Sequence, residues 1–205
     1  MSLPAFDPAT SAAVTIDLHR GHLDPAVATM PLAADAAATV TAASTRFLHG
    51  VRAAGAAVVH VITSYQDVRE IAGNPWWASV ADTDATRSNV LRHQLPGSPG
   101  LELMPGLQDP GDVVVATKKR YDCFAATELE FVLRTRGIRA LFLMGVNTNS
   151  CVLATTVAAN ARDFAPIVVE DCVDTMDRTL HEPALAMIRQ AFGWTAPAAT
   201  ILAAL

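Results

Sequence analysis

Cysteine is scarce in this chain of 205 residues, and its three cysteines are widely spaced. Cys123, Cys151 and Cys172 form neither a C-x-x-C pair nor an obvious disulfide framework, so a reducing cytoplasm is the expected location. Residues 1–10 lack the basic start and the apolar core of a signal peptide. No run approaches the roughly 18 to 20 apolar residues that span a bilayer. We therefore expect a cytoplasmic protein without a membrane partner.

Charged side chains are also few, at 17% of the chain, and they include no dense block of lysine and arginine. The formal net charge of -5 argues against nucleic acid as the main partner. Hydrophobic residues, by contrast, make up 51% of the sequence, which is typical of a compact globular protein. A chain of this length without a visible linker predicts a single domain over residues 1–205.

Short apolar runs alternate with helix-like segments along the chain. The apolar runs predict strands over residues 12–17, 56–63, 112–117, 139–144, 166–170 and 198–202. Alanine-rich or amphipathic segments predict helices over residues 36–54, 126–136, 151–164 and 182–192. Segments 18–31 and 64–110 are rich in turn residues and are predicted to be irregular. This alternation indicates a doubly wound, Rossmann-like parallel sheet of about six strands, with helices on both faces.

The stretch from Gly145 to Val152 combines a predicted strand end, a tight turn and a thiol at the start of a predicted helix. The first turn of a helix offers unpaired N–H groups and a partial positive charge. Both favour a thiolate over a thiol, and the thiolate is the nucleophilic form. Cys151 is therefore the candidate nucleophile, although a lone cysteine at such a place is more often packing.

Two further reactive side chains follow predicted strands. Asp17 ends the first strand and Lys118 follows the third. In a parallel sheet of this type the functional site lies beyond the C-terminal ends of the strands, so both side chains could converge with Cys151 in one crevice. A thiol needs a base to take its proton and a cation to hold the resulting charge. Asp17 suits the first role and Lys118 the second.

Three motifs in this order resemble the isochorismatase-like cysteine hydrolase superfamily. They are Val-Thr-Ile-Asp at 14–17, Thr-Lys-Lys-Arg-Tyr-Asp-Cys-Phe at 117–124, and Gly-Val-Asn-Thr-Asn-Ser-Cys-Val at 145–152. The resemblance covers nearly the whole chain and implies a catalytic triad of Asp17, Lys118 and Cys151, with the neighbouring Lys119 facing away. It also implies a homodimer or homotetramer.

The same resemblance implies a cis peptide bond between Val146 and Asn147. That geometry would direct the backbone N–H groups of Asn147 and Cys151 at the oxyanion of a tetrahedral intermediate. Losing one such donor typically costs on the order of 10²–10³ in rate.

Together these features predict a cysteine-dependent amidohydrolase that cleaves a C–N bond of a small carboxamide or ureide through a thioester. One alternative is an isochorismatase-type vinyl-ether hydrolase, which depends far less on the thiol. Another is a non-catalytic scaffold or thiol sensor on the same fold. A small-molecule substrate is the expected partner in the first two cases.

Two departures from the superfamily pattern concern histidines and metal ligands. His19 and His22 stand where the superfamily often has glutamine and an aromatic residue. Residues 63–66 read Thr-Ser-Tyr-Gln, where metal-binding members such as nicotinamidases carry Asp-x-His. Asp17, His19, His22 and Asp24 could be metal ligands of a hydrolase, but such polar loop clusters are usually hydrogen-bonded structure. We therefore expect neither a metal nor another cofactor.

Several side chains near these motifs are candidate substrate contacts. They are His22, Trp76, Trp77, Tyr121 and Phe124. The two tryptophans lie in the long irregular segment, where they could close the pocket or pack an oligomer contact. Tyr121 and Phe124 follow the Lys118 motif, and core packing is an equal alternative for both.

Overall fold

The computed structural model of this chain describes residues 3–205, and within them six strands form one sheet. The strands are β1 (Ser11–Ile16), β2 (Ala57–Thr63), β3 (Val113–Lys118), β4 (Ala140–Val146), β5 (Ala165–Asp174) and β6 (Trp194–Ala196). All neighbouring strands are parallel, and their order across the sheet is β3-β2-β1-β4-β5-β6. This is the doubly wound topology that the sequence pattern predicts.

The helices connect successive strands. They are α1 (Arg20–Leu23), α2 (Ala34–Ala53), α3 (Val68–Ala72), α4 (Pro75–Val80), α5 (Leu129–Thr135), α6 (Leu153–Asn160), α7 (His181–Met187) and α8 (Ala198–Leu202). Two π-helical turns, Thr148–Val152 and Ile188–Phe192, precede α6 and follow α7. None of the helices in residues 3–205 combines the length and the apolar character needed to cross a membrane.

Helices cover both faces of the sheet. Successive residues of a buried strand point to opposite faces, so each strand packs against helices on both sides. In β1, Ala13 packs with Phe47 of α2 and Ile201 of α8. The adjacent Val14 packs on the other face, in a cluster that includes Leu133 of α5. Strands buried on both sides carry no alternating polar positions, which explains the continuous apolar runs of the sequence.

The end of the chain differs from the sequence prediction. Residues 198–202 form α8 rather than a strand, and the last strand, β6, lies just before them. The chain leaves the sheet at Pro197, whose carbonyl accepts a hydrogen bond from the Ile201 N–H at 3.2 Å. An apolar run of five residues is too short for its periodicity to distinguish a helix from a strand.

The segments predicted to be irregular contain short helices. Segment 18–31 includes α1, and segment 64–110 includes α3 and α4. In α4 the Asn74 side chain accepts a hydrogen bond from the Trp77 N–H at 3.2 Å, and Pro75 occupies the first turn. The Asn-Pro pair is therefore a helix start and not only a turn signal.

The strand order places a topological switch between β1 and β4. From β1 the chain proceeds to β2 and β3 on one side, then returns to place β4 on the other side of β1. The C-terminal ends of these strands carry Asp17, Lys118 and the turn that holds Cys151. Crevices at such switch points are the usual ligand sites of open α/β sheets.

Gly145 permits β4 to approach β1 closely at this edge. Its φ angle is +121°, and a Cβ atom at this position would lie 2.0 Å from the carbonyl oxygen of Ile16. A side chain would therefore push apart the two strands that carry Asp17 and the turn of Cys151.

We expect Gly145→Ala to lower the free energy of unfolding by at least ~2 kcal/mol, because it adds both backbone strain and a steric clash. Urea denaturation followed by circular dichroism measures the change. Gly111→Ala is the matched control, since a Cβ there meets no atom within 4 Å. Equal stability of the two variants would contradict this account of the β1–β4 contact.

Candidate active site

A buried ion pair joins Asp17 and Lys118. The Lys118 Nζ donates a hydrogen bond of 2.6 Å to Asp17 Oδ2, and the side chains are 2% and 1% exposed. The Asp17 N–H donates to the carbonyl of Val61 at 3.0 Å, which fixes the acid at the end of β1. Removing either partner would leave a buried charge uncompensated, at a cost of about 3–5 kcal/mol.

Thr63, the last residue of β2, connects the two charged groups. Its hydroxyl donates to Asp17 Oδ1 at 2.8 Å and accepts from Lys118 Nζ at 2.6 Å. Its backbone N–H also donates to Asp17 Oδ1, at 2.9 Å. The carboxylate is thus held through both oxygens. The sequence offered no signal for this role, because a threonine at a strand end is ordinary.

Cys151 lies in the π-helical turn Thr148–Val152, not in the first turn of a regular α-helix as the sequence pattern predicts. The Asn147 carbonyl accepts hydrogen bonds from the N–H groups of Ser150 at 3.1 Å and Val152 at 3.2 Å. The second bond spans five residues, which is the pattern of a π-helix. The α-helix α6 begins only after this turn.

The sulfur of Cys151 completes the cluster. Lys118 Nζ lies 3.4 Å from Cys151 Sγ while it also contacts the carboxylate of Asp17. The structure therefore brings together the three residues that the sequence predicts as a triad, around a single ammonium group. Lys119 points elsewhere, as predicted: its Nζ donates to the carbonyl of Ser64.

The peptide bond between Val146 and Asn147 is cis, as the resemblance implied. The Asn147 side chain is anchored through Oδ1, which accepts a hydrogen bond of 3.0 Å from the Met176 N–H. This bond fixes the Asn147 side chain to the segment that follows β5. The assignment of the Asn147 and Cys151 amides to an oxyanion hole stays a prediction.

The ionisation of the cluster follows from burial and from Lys118. Burial raises the pKa of Asp17, but the ammonium of Lys118 and the imidazole of His19 together outweigh this, and the pKa lies well below its usual range. Burial lowers the pKa of Lys118, but the Asp17 carboxylate and the nearby sulfurs of Cys151 and Cys123 together outweigh this, so the pKa is raised.

The pKa of the Cys151 thiol differs from what the sequence predicts. Burial raises the pKa of its thiol, and the attraction of Lys118 does not cancel that effect because the carboxylate of Asp17 opposes it. The expected thiolate is therefore not the resting form. The free site holds a carboxylate, an ammonium and a thiol.

A narrow cavity opens onto these groups. Of the predicted substrate contacts, His22, Trp77 and Tyr121 line it. Trp77 is buried, and its Nε1 donates to the Tyr121 hydroxyl at 3.0 Å. Trp76 and Phe124 lie outside the cavity. The Trp76 side chain is 62% exposed beside a neighbouring groove, and Phe124 stacks in the core.

Two arginines that the sequence analysis did not include also line the cavity. Arg87 Nη2 donates to the Ser150 hydroxyl at 2.9 Å, and its guanidinium lies 5.1 Å from the centre of the Tyr121 ring. The Arg120 guanidinium lies 4.9 Å from the centre of the Trp77 ring. Neither arginine forms a salt bridge with the residues that the structure describes. Their positive charges therefore remain available to a ligand.

His22 and His93 form part of the cavity wall. Burial lowers the pKa of His22 to about 3 and holds the pKa of His93 well below its usual range. Both imidazoles are therefore neutral at neutral pH. His93 lies far from His22 in the sequence, and no motif indicated that the fold would bring them together.

Known proteins share both the sequence and the architecture of this chain. The family model of the isochorismatase domain matches residues 11–200. The chain is 32% identical over 211 residues to ureidoacrylate amidohydrolase RutB of Methylobacterium radiotolerans, a match that covers 98% of this chain and 81% of that protein.

Two solved structures superpose on all or most of the chain. An isochorismatase family protein from Burkholderia thailandensis is 32% identical with a TM-score of 0.78, covering 100% of this chain and 99% of that one. N-carbamoylsarcosine amidase from Thermoplasma acidophilum, at 24% identity, has a TM-score of 0.73 and covers 92% of this chain and 96% of its own. At this identity the second likeness concerns the fold alone.

A doubly wound parallel sheet with a thiol, a carboxylate and an ammonium at its switch point is typical of a cysteine hydrolase. The matches over nearly the whole chain make the assignment specific: the chain belongs to the isochorismatase family. The resemblance found in the three sequence motifs is thereby confirmed.

The raised pKa of Cys151 predicts where its thiolate appears. Because the native site favours the protonated sulfur, we expect the thiolate absorbance near the ultraviolet edge to rise only above the usual cysteine pKa of about 8.5. The measurement is the pH titration of wild type minus that of Cys151→Ala. Cys123 and Cys172 are present in both proteins and cancel. A midpoint below pH ~8 would contradict a resting thiol.

Proposed function

We propose that this protein is a cysteine-dependent amidohydrolase that cleaves a C–N bond of a small amide or ureide, with Asp17, Lys118 and Cys151 as its catalytic residues. The observation that carries the proposal is the position of Lys118 Nζ, which contacts both the Asp17 carboxylate and the Cys151 sulfur beside a cavity. A structural ion pair needs neither the thiol nor the cavity.

The geometry allows the thiol to ionise without changing the net charge of the buried site. Transfer of the proton from Cys151 to Asp17 converts thiol and carboxylate into thiolate and carboxylic acid. Lys118 contacts both groups and therefore stabilises the charge before and after the transfer. Moving a charge within a buried cluster avoids the large cost of creating a new one there. The resting thiol is consequently compatible with nucleophilic attack.

The full reaction follows from these roles. The Cys151 sulfur attacks the substrate carbonyl carbon while its proton passes to Asp17, which forms a tetrahedral intermediate. The backbone N–H groups of Asn147 and Cys151 stabilise the oxyanion. Asp17 then donates the proton to the departing nitrogen, and the C–N bond breaks to leave a thioester. A water molecule that gives its proton to Asp17 hydrolyses the thioester and releases the acid and the free thiol.

The relative RutB supports the amide or ureide class, because its name describes hydrolysis of a ureido compound. The charges of the cavity narrow the choice further. Arg87 and Arg120 line it without carboxylate partners, and its single carboxylate, Asp17, is already paired with Lys118. The excess positive charge favours a substrate that carries a carboxylate.

The small cavity and the family membership also support two related proposals. The substrate is a small molecule, and the protein assembles into a homodimer or homotetramer. Large exposed apolar side chains such as Trp76 and Phe131, which are 62% and 72% exposed, are suited to an interface between copies.

Replacement of Cys151 by alanine is expected to lower ammonia release by at least about 10³-fold, because no other cysteine of the described residues lines the cavity to form the thioester. The assay is ammonia release from a panel of amides, ureides and hydrazides. Cys172→Ala is the control, since that thiol is buried away from the cavity, in the hydrophobic core that also contains Phe47 of α2.

Full turnover by Cys151→Ala would overturn the proposal. Release of pyruvate from isochorismate, without ammonia from any member of the panel, would instead favour the vinyl-ether hydrolase. Inactivity on both substrate classes with normal folding would favour the scaffold or thiol sensor.

Replacement of Arg87 by methionine tests the preference for a carboxylate. We expect KM for a carboxylate-bearing amide to rise about 10–100-fold, since a charge-assisted hydrogen bond is worth about 1.5–3 kcal/mol. KM for the uncharged analogue should change little. Arg92→Met is the control, because Arg92 is exposed outside the cavity. An equal rise in KM for both substrates would show that Arg87 acts by packing alone.

A further inference from the structure

Three buried histidines lie together beside the catalytic cavity. His19, His22 and His93 each place one ring nitrogen within 4.8 Å of the others. Their rings are close as well, with centroid separations of 5.0 Å for His19–His22, 5.6 Å for His19–His93 and 4.7 Å for His22–His93. All three side chains are at most 3% exposed.

Two of the rings are anchored by a hydrogen bond at one ring nitrogen. His22 Nδ1 donates to the Met30 carbonyl at 2.7 Å, which leaves Nε2 as an unprotonated acceptor in the neutral ring. His93 Nδ1 is hydrogen-bonded to the Thr29 hydroxyl at 2.7 Å, which leaves Nε2 as the nitrogen that could bind a ligand. Anchoring one imidazole nitrogen on a backbone carbonyl or a hydroxyl is the usual support of a metal-ligating histidine.

His19 has no such support. Its ring is completely buried, and neither nitrogen makes a hydrogen bond with any residue that the structure describes. His60 shows the ordinary alternative in the same fold: its Nδ1 pairs with Thr15 and its Nε2 with Asp112. The nearest charged group is the Asp17 carboxylate, whose Oδ1 lies 3.5 Å from His19 Nε2, at the limit of a hydrogen bond. Burying an imidazole without a good hydrogen bond costs free energy, so the ring of His19 indicates a ligand.

We propose that His19, His22 and His93 bind a divalent transition-metal ion of the Zn²⁺ type at the wall of the catalytic cavity. Three histidines are a common ligand set for a zinc ion that keeps its fourth position open. Zn–N bonds of about 2.0–2.1 Å place the ligand nitrogens roughly 3.4 Å apart, so binding draws the three rings together by a small rotation.

The charges around the cluster include one carboxylate and several cations. Asp17 Oδ1 lies 3.5 Å from His19 Nε2 and supplies negative charge next to the cluster. The ammonium of Lys118 opposes a second cation, but it is already paired with Asp17. The ligands come from the segment after β1 and from the segment before β3, whereas the last residue of β2 supplies the Thr63 side chain to the Asp17–Lys118 pair.

His22 and His93 line the cavity, so the fourth coordination position of the ion would open into the cavity. An anionic oxygen of the substrate is the chemical group that this position would take. This role in binding rests on the proposed function, whereas the metal site itself does not.

Titration of the chelator-treated protein with CoCl₂ tests the site, because Co²⁺ replaces Zn²⁺ and shows visible d–d absorption when bound. We expect one Co²⁺ per chain in the folded wild type. His93→Gln should weaken binding at least about 10–100-fold. His49→Ala is the control, because His49 is exposed on α2 and distant from the cluster. Near-ultraviolet circular dichroism verifies that each variant is folded.

X-ray absorption of the Zn²⁺-loaded wild type provides a second measurement that needs no variant. Three imidazole nitrogens at about 2.0–2.1 Å support the proposal, whereas a sulfur at about 2.3 Å would assign the ion to Cys151 and overturn it. Absence of stoichiometric Co²⁺ binding, or equal binding by folded His93→Gln, would also overturn it. Ammonia release by the metal-free protein is a separate result, so the two proposals can fail independently.

Discussion

The ion pair between Asp17 and Lys118 is the interaction on which the site depends. Each charge alone would be expensive to bury, and together they are tolerated because Thr63 completes the hydrogen bonding between them. The pair also fixes where the lysine ammonium lies, and that position determines the electrostatic environment of Cys151. A single buried contact therefore links three strands, shifts the pKa values of both of its partners and places an ammonium beside the proposed nucleophile.

The topology explains why residues distant in sequence meet at this point. Asp17 follows the central strand β1, and Cys151 follows its neighbour β4, across the switch in strand order. Lys118 ends β3, two strands from β1, and only a long side chain could cover that distance along the sheet edge. Gly145 adds the close approach of β4 to β1. A shorter cationic side chain at position 118 would not extend from the end of β3 to Asp17, which accounts for the lysine there.

Local patterns predicted the features that depend on local chemistry. The buried strands were recognised because both of their faces are apolar. The resemblance of three motifs to a known superfamily predicted that Asp17, Lys118 and Cys151 would lie together, and the structure does bring them together. The features that were missed arise only from the fold. His93 joins His19 and His22 through a long segment with little periodicity, and the π-helical turn at Cys151 depends on a hydrogen bond that no residue type specifies.

The position of the Cys151 proton follows from the same electrostatics. A buried cysteine next to an ammonium is expected to ionise, yet here the carboxylate of Asp17 already compensates the ammonium, so a second anion has no unpaired cation to meet. In the proposed mechanism the thiolate becomes favourable only when Asp17 takes the proton. The charge of the cluster would then be unchanged, and the sulfur would replace the carboxylate as the anion beside the ammonium. On this proposal Asp17 both keeps the thiol protonated at rest and activates it.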